Sequence, residues 1–183
     1  MSEDFEALKI VTQRLEKANL LYMVTGSVAA NFYTVPRMTR DIDIVIELEP
    51  GAAETVMNIF SADFYVDLEM IQEAIGSEQM FNIIHNNSLV KIDFIIRKKT
   101  PYRELEFRRR KKMKIEEGLE VWVVAAEDLI LSKLFWAKES LSELQLRDVK
   151  NILDNQTKLD RGYLEMWIDS LGLQKIFEKV QKW

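Results

Sequence analysis

Two aspartates open a strand-like segment of the chain. The segment DIDIVIE begins with Asp41 and Asp43, which are separated by one isoleucine. Side chains two positions apart on a β-strand point to the same face, so these carboxylates lie side by side and repel each other. A bound cation would offset the repulsion, and so would exposure to water at a strand end. The pattern therefore leaves two interpretations open, a cation site or a solvated strand end.

A third aspartate lies in a comparable setting. In LVKIDFIIR, alternation places Asp93 on the same face as Lys91 and Ile95. If this strand lies beside the DIDIVIE strand, three carboxylates converge and need neutralising. Carboxylate oxygens favour Mg²⁺, with Mn²⁺ as an alternative, and the remaining coordination positions suit water and substrate phosphates.

A candidate phosphate cradle precedes the acids. Gly26 ends the apolar strand LYMVTG, and Ser27 opens a short helical segment that Pro36 ends. Glycine lets a ligand approach the backbone, a helix N-terminus offers free N–H groups, and the serine is a good N-cap. The order of cradle and acids suits a metal-bound nucleoside triphosphate.

Hydropathy patterns place these motifs on elements. They predict a helix near the N-terminus, two helices between Pro50 and Gly76, and a hairpin that turns at Asn86-Asn87-Ser88. Gly76 is the predicted C-terminal stop of its helix. VWVVAA is a further strand, and helical patterns continue from Glu127 onward. The sequence thus predicts an α/β core over residues 1–125 and a helical C-terminal region over residues 126–183.

Composition excludes several classes of site. The 183 residues contain no cysteine and one histidine, which excludes disulfides and sites that need cysteine or several histidines. The N-terminus does not resemble a signal peptide, and no apolar run is long enough to span a membrane. We therefore expect a cytoplasmic protein that does not enter membranes.

A basic segment interrupts an acidic chain. The net charge is −5, yet residues 97–114 hold ten lysines and arginines. One interpretation is a solvated loop and helix. The other is a surface for the RNA or DNA backbone, with Tyr102 and Phe107 available for base stacking.

These motifs together resemble a known family. Gly26-Ser27, Asp41-Ile42-Asp43 and Asp93 resemble the signature of polymerase-β-type nucleotidyltransferases, and Arg37 and Thr39 complete an R-x-T-x-D-h-D form. AAEDLILSKLFWAK and LQLRDVKNILDN resemble the C-terminal helices of small prokaryotic members. The similarity is closest to the abortive-infection branch, whose toxic members belong to type IV toxin–antitoxin pairs. It implies a mixed, twisted β-sheet with packed helices.

The resemblance also implies residue roles. Asp41 and Asp43 would hold both magnesium ions, and Asp93 would complete the catalytic metal site and help deprotonate the attacking hydroxyl. The implied nucleotide-binding residues are Gly26, Ser27, Arg37, Thr39, Lys133 and Asp148. On the bland interpretation, Lys133 is a surface lysine, Arg37 and Arg40 are solvated charges, and Asp148 pairs with Arg147 or Arg161. The chain departs from the branch at Asn151, where a second acid would align.

The function that the resemblance implies is a Mg²⁺-dependent transfer of a nucleoside monophosphate from an NTP, ATP among them, to an acceptor hydroxyl. RNA or tRNA, a protein and a small molecule are the open acceptor classes, and an antitoxin partner would follow from membership of the toxin branch. The alternative function is a catalytically inactive protein of the same fold that binds a nucleotide, RNA or a protein.

Overall fold

The computed structural model describes residues 3–37, 39, 41–116, 119–140 and 142–182. The chain divides into two compact units. The first comprises Met1–Val28 and Met38–Val124, and the second comprises Ala29–Arg37 and Ala125–Trp183. Residues 29–37 thus belong with the C-terminal helices, which a single boundary at residue 125 does not anticipate.

The first unit is an α/β structure. Its strands are β1 (Tyr22–Thr25), β2 (Asp41–Ile46), β3 (Phe64–Tyr65), β4 (Met80–His85), β5 (Lys91–Ile96), β6 (Lys111–Glu116) and β7 (Leu119–Val123). Its helices are α1 (Glu3–Lys17), α3 (Ala53–Phe60), α4 (Leu68–Ser77) and α5 (Pro101–Arg108). The short helix α2 (Gly26–Ala30) starts directly after β1, and its last two residues are assigned to the second unit.

One mixed sheet organises this unit. In the described part of the chain, seven strands lie in the order β3-β4-β5-β2-β1-β7-β6. β2 is parallel to β5 and β1 is parallel to β7, whereas the other neighbouring pairs are antiparallel. The predicted mixed sheet is confirmed, and β2 and β5 occupy neighbouring central positions.

Alternation decides which face of the sheet carries the core. Ile42, Ile44 and Ile46 of β2 are buried. Phe94 of β5 is the direct partner of Ile44, and its ring contacts the ring of Phe60 on α3 at 5.9 Å between centroids. The odd-numbered residues of β2, including both aspartates, therefore point to the opposite face of the sheet.

Local details differ from the sequence expectation. The helix predicted from Ser27 to Val35 starts at Gly26 and ends at Ala30, and the helix predicted to stop at Gly76 continues to Ser77. The left-handed residue that ends α4 is Glu78, with φ of 52°. Lys111–Glu116 form a strand that was not predicted, because its lysines obscure the apolar alternation.

The C-terminal part of the second unit is built from four described helices. They are α6 (Ala126–Ser140), α7 (Glu143–Asn155), α8 (Arg161–Ser170) and α9 (Gln174–Gln181), in agreement with the predicted helical region. The first nine residues of α6, Ala126 to Leu134, are all buried. A helix that is buried on every side is a central packing element, so α6 forms the core of this unit. Within the described ranges, no helix combines the length and apolarity that crossing a membrane requires.

Candidate functional site

The sheet register places two carboxylates side by side. Asp43 of β2 is the direct partner of Asp93 on the parallel strand β5. Directly opposed residues on neighbouring strands point to the same face, so both side chains lie on the face opposite the apolar core. Only 9% of Asp93 is exposed. The strand neighbourhood inferred from alternation is thus present.

Asp41 lies one strand step further from this pair. Its register partner on β5 is Lys91 rather than an acid, and its side chain is 57% exposed. Among the residues that the structure describes, no group of three acidic or histidine side chains is arranged to hold a metal ion. The expected convergence of three carboxylates is therefore not preformed, and the closely placed pair is Asp43 and Asp93.

Lys91 occupies the space that separates the acids. Its Nζ lies 2.8 Å from Oδ2 of Asp93 and 4.0 Å from Oδ1 of Asp41. The hydrogen bond to Asp93 raises the pKa of Lys91, and the negative charges of Asp41 and Asp43 contribute in the same direction. Lys91 is a charged neighbour of these acids that the sequence pattern did not assign to the site. Its position two residues before Asp93, on the same face, was the available signal.

Gly26 is required by the Asp43 carboxylate. Gly26 follows Thr25, the register partner of Asp43, and adopts φ of +64°. A Cβ at this position would lie 1.9 Å from Oδ2 of Asp43 and 2.6 Å from its Cγ. The glycine therefore leaves room for the carboxylate, a role different from the ligand approach that the sequence suggested.

The donor set fits a divalent cation. Two carboxylates lie on one sheet face, they supply hard oxygen ligands, and a lysine ammonium is bound where positive charge is needed. The Oγ1 of Thr39 donates a hydrogen bond to the backbone carbonyl of Asp41 over 3.3 Å at the start of β2. Ser27 lies within the first turn of α2 rather than before it. Arg40 lies outside the described residues.

A second charged cluster lies within the second unit. The Nζ of Lys133 donates to Oδ2 of Asp148 over 2.8 Å and to Oε1 of Gln145 over 3.0 Å. Lys133 and Asp148 are only 3% and 4% exposed. Lys133 is therefore not the surface lysine of the bland interpretation, because it belongs to a buried ion pair.

Arg37 completes this cluster. Its Nη2 and Nε donate to the two carboxylate oxygens of Asp148 over 3.1 and 3.4 Å. The side-chain amide of Asn31 exchanges hydrogen bonds with the Arg37 backbone, over 3.0 and 2.9 Å. Asp148 thus pairs with Arg37 and Lys133, not with the neighbouring Arg147 or with Arg161. The structure brings together three of the predicted nucleotide-binding residues here.

Solved structures share the fold of this chain, whereas no protein-family model and no curated protein sequence matches it. The antigenic nucleotidyltransferase-like protein from Paracoccidioides brasiliensis is 18% identical, with a TM-score of 0.61 over 99% of this chain and 93% of that protein. ANT(2″)-Ia in complex with adenylyl-2″-tobramycin is 15% identical, with a TM-score of 0.61 over 96% and 99% of the two chains. The lincosamide antibiotic adenylyltransferase LnuA, bound to lincomycin, is 12% identical, with a TM-score of 0.56 over 85% and 98%.

These similarities define the class of fold. The chain has the fold of the polymerase-β-like nucleotidyltransferases, as the signature around Asp41, Asp43 and Asp93 predicted. The toxin branch of that superfamily stays a prediction, and so do the roles of the individual site residues.

Replacing Gly26 by alanine tests the packing of the carboxylate. We expect Gly26→Ala to destabilise the protein by about 2–4 kcal/mol, because a left-handed φ and a steric clash with Asp43 add together. Gly172→Ala is a matched control, since Gly172 has φ of +63° and a Cβ there would meet only Nζ of Lys138, 3.5 Å away at the end of a flexible side chain. The control should lose only about 1–2 kcal/mol. Equal losses in urea unfolding would show that the clash with Asp43 is absent.

Acid titration tests the buried ion pair. Burial raises the pKa of Asp148, but hydrogen bonds from Arg37 and Lys133 lower it further, and the net pKa lies below the ordinary value. The ionised carboxylate therefore stabilises the fold above the unfolded pKa of about 4, and this stability is lost as pH falls through the folded pKa. Asp148→Asn should cost about 3–5 kcal/mol at pH 7.

The difference between native protein and Asp148→Asn should shrink as the pH falls below about 4 in urea unfolding. Asp154→Asn is the control, because the Lys150–Asp154 pair is exposed and its loss should cost less than about 1 kcal/mol. A loss for Asp148→Asn that is constant between pH 7 and pH 3 would contradict the assignment.

Proposed function

We propose that the protein transfers a nucleoside monophosphate from an NTP to an acceptor hydroxyl and releases pyrophosphate. The observation that carries the proposal is the register of Asp43 against Asp93, next to a glycine that has no room for a side chain. The fold shared with proteins named as nucleotidyltransferases supports it.

In this proposal Asp41, Asp43 and Asp93 would hold Mg²⁺. When bound, the ion would neutralise charge on the triphosphate and on the leaving pyrophosphate. The oxygen of the acceptor hydroxyl forms a bond to the α-phosphorus, and the bond from that phosphorus to the pyrophosphate oxygen breaks. Asp93 accepts the proton that the hydroxyl loses. Burial of Asp93 keeps water from that carboxylate.

The other residues predicted to contact the nucleotide differ in how exposed they are and in what they can donate. The Ser27 hydroxyl and the backbone N–H groups at Gly26 and Ser27 would bind the phosphates, although α2 has only five residues and a small dipole. Arg37, whose side chain is 36% exposed, can offer donors to an anion. Lys133 and Asp148 are buried, so we assign them the task of holding the Arg37 guanidinium.

Nucleotide binding and incorporation test this function. Each NTP is added with and without Mg²⁺, and the melting temperature is recorded for the native protein and for Asp43→Asn. A ligand at a hundredfold excess over its dissociation constant stabilises the folded state by roughly 2.7 kcal/mol. We expect a Mg²⁺-dependent rise with at least one NTP, its loss in Asp43→Asn, and covalent incorporation of α-³²P label into an acceptor.

The runner-up function is a catalytically inactive protein of this fold that binds a nucleotide, RNA or a protein. Its support is the ion pair between Lys91 and Asp93, which neutralises the site without metal, together with Asn151 at the position of an expected acid. Nucleotide binding without incorporation across RNA, protein and small-molecule acceptors would favour it.

For the acceptor we propose RNA, on the charge of residues 97–114. Arg97 and Arg103 form ion pairs with Glu47 and Glu106. Six cations of this segment are exposed, and none of them forms an ion pair with a described residue. We call them the basic strip: Lys98, Lys99, Arg108, Lys111, Lys112 and Lys114. Unpaired exposed cations at this density favour a phosphate backbone.

Two lysines of the basic strip share the face of the carboxylates. Lys112 pairs with Trp122 and Lys114 with Glu120, whereas Val123 is level with Val24 on the core face. Lys112 and Lys114 therefore point to the same face of the sheet as Asp43, at about 14 Å from β2 because three strand spacings intervene. An RNA end at the carboxylates could reach them.

The prediction that two aromatic residues stack on RNA bases is wrong. Tyr102 and Phe107 are only 5% and 3% exposed, and an arginine side chain lies over each ring, so they do not present rings to RNA bases. Contact through phosphates alone suits folded RNA rather than unstacked single strands. A small-molecule acceptor stays the alternative, although the basic strip would repel cationic aminoglycosides. An antitoxin partner likewise remains a proposal.

Charge reversal tests the RNA proposal. Binding of a fluorescein-labelled RNA hairpin with a 3′ overhang is followed by anisotropy at several salt concentrations. Lys112→Glu/Lys114→Glu should weaken binding at least about tenfold and reduce the salt slope by about 1–2. The control Lys175→Glu/Lys179→Glu makes the same change of net charge at exposed lysines of α9 and should stay within about twofold. Equal weakening by both pairs would argue against a localised RNA surface.

A further inference from the structure

Lys91 stands among the acids of the candidate site as a positive charge of the protein itself. The geometry points to Lys91 as a resident counter-ion, whose ammonium holds Asp93 and Asp41 in the metal-free protein and leaves when a divalent cation binds. This inference rests on the metal site of the proposed function. It adds a residue that sets the metal affinity of that site.

The contacts of Lys91 carry the first half of this inference. Lys91 begins β5 opposite Asp41, and its side chain reaches along its own strand to Oδ2 of Asp93 at 2.8 Å. Its Nζ lies 4.0 Å from Oδ1 of Asp41. Asp43, the register partner of Asp93, adds to the negative charge that acts on this ammonium. Without it, neighbouring like charges would destabilise the sheet.

The freedom of Lys91 carries the second half. Its side chain is 38% exposed, whereas that of Asp93 is 12% exposed. An ammonium next to a divalent cation is repelled, and a lysine has a flexible four-carbon stem that can carry its charge into water. The Asp43 and Asp93 carboxylates have short stems on two paired central strands and cannot move as far. The lysine is therefore the group that gives way.

The buried pair of the second unit shows the contrasting case. Lys133 is also bound to an aspartate at 2.8 Å, but its side chain is only 4% exposed. A lysine buried to that extent cannot release its carboxylate without leaving a charge in the interior. The difference in exposure separates an exchangeable counter-ion at Asp93 from a permanent one at Asp148.

Binding of Mn²⁺ alone, without nucleotide, tests the inference on the full chain. Lys91→Met keeps most of the stem and removes the charge, and Lys91→Arg keeps the charge. By electron paramagnetic resonance, we expect Lys91→Met to bind Mn²⁺ roughly fivefold to twentyfold more tightly than the native protein, because a competing charge is gone. Lys91→Arg should stay within about threefold of the native affinity. Lys175→Met controls for net charge and should leave the affinity unchanged.

Thermal stability supplies a readout that needs no catalysis. In EDTA, Lys91→Met should melt a few degrees below the native protein, since the carboxylates lose their counter-ion. In saturating Mn²⁺ that deficit should disappear or reverse. A lysine that only packs against its neighbours would lower the melting temperature equally under both conditions, and such a result would overturn the inference.

The outcomes for Lys91 and for the metal site can be told apart. If the native protein binds Mn²⁺ and Asp43→Asn does not, but Lys91→Met binds no more tightly than native, the metal site stands and the counter-ion role is wrong. If neither the native protein nor Lys91→Met binds Mn²⁺, both the metal site and the exchange of Lys91 are wrong. Tighter binding by Lys91→Met, with no change in Lys91→Arg, supports the inference.

Discussion

Repulsion between neighbouring carboxylates is the constraint on which the candidate site depends. Asp43 and Asp93 are direct partners on parallel strands, so the sheet register keeps their Cβ atoms close together. Gly26 removes the Cβ that would press on the Asp43 carboxylate, and Lys91 brings an ammonium to Asp93. The backbone conformation at Gly26 gives the Asp43 carboxylate room, and the Lys91 ammonium reduces the repulsion between the acids. A bound divalent cation would reduce this repulsion more strongly.

The second unit neutralises an acid by another route. Asp148 is buried, which would ordinarily favour its protonated form, yet hydrogen bonds from Lys133 and Arg37 lower its pKa. The two charge-assisted hydrogen bonds therefore lower the pKa of Asp148 more than desolvation raises it. Because Asn31 holds the backbone of Arg37 and Asp148 holds its guanidinium, the loop residue is fixed at both ends. A buried network of this kind specifies one position for Arg37, while an exposed ion pair would not.

The sequence predicts the placement of strands better than the reach of long side chains. Alternation puts Asp93 and Lys91 on one face, and the register of β2 and β5 agrees with it. It does not reveal that the Lys91 ammonium returns to Asp93, since four rotatable bonds leave its endpoint open. Alternation also misses β6, where lysines replace apolar residues. The sequence pattern wrongly suggests that Tyr102 and Phe107 are available at the surface. Their burial depends on arginines that a pattern of apolar residues does not include.

Those arginines explain how so many cations share one side of the sheet. Arg97 and Arg110 both lie over the ring of Phe107, and Arg110 and Lys112 both lie over the ring of Trp122. The negative faces of these rings attract the cations, which offsets part of the repulsion within the segment. Arg97 also forms an ion pair with Glu47, whereas Lys112 and Lys114 on the edge strand form no ion pair with a described residue. One sheet face consequently carries the acids near its centre and the lysines Lys112 and Lys114 on its edge strand. Under the proposed function, this polarity favours an anionic acceptor chain that lies along the edge and ends at the acids.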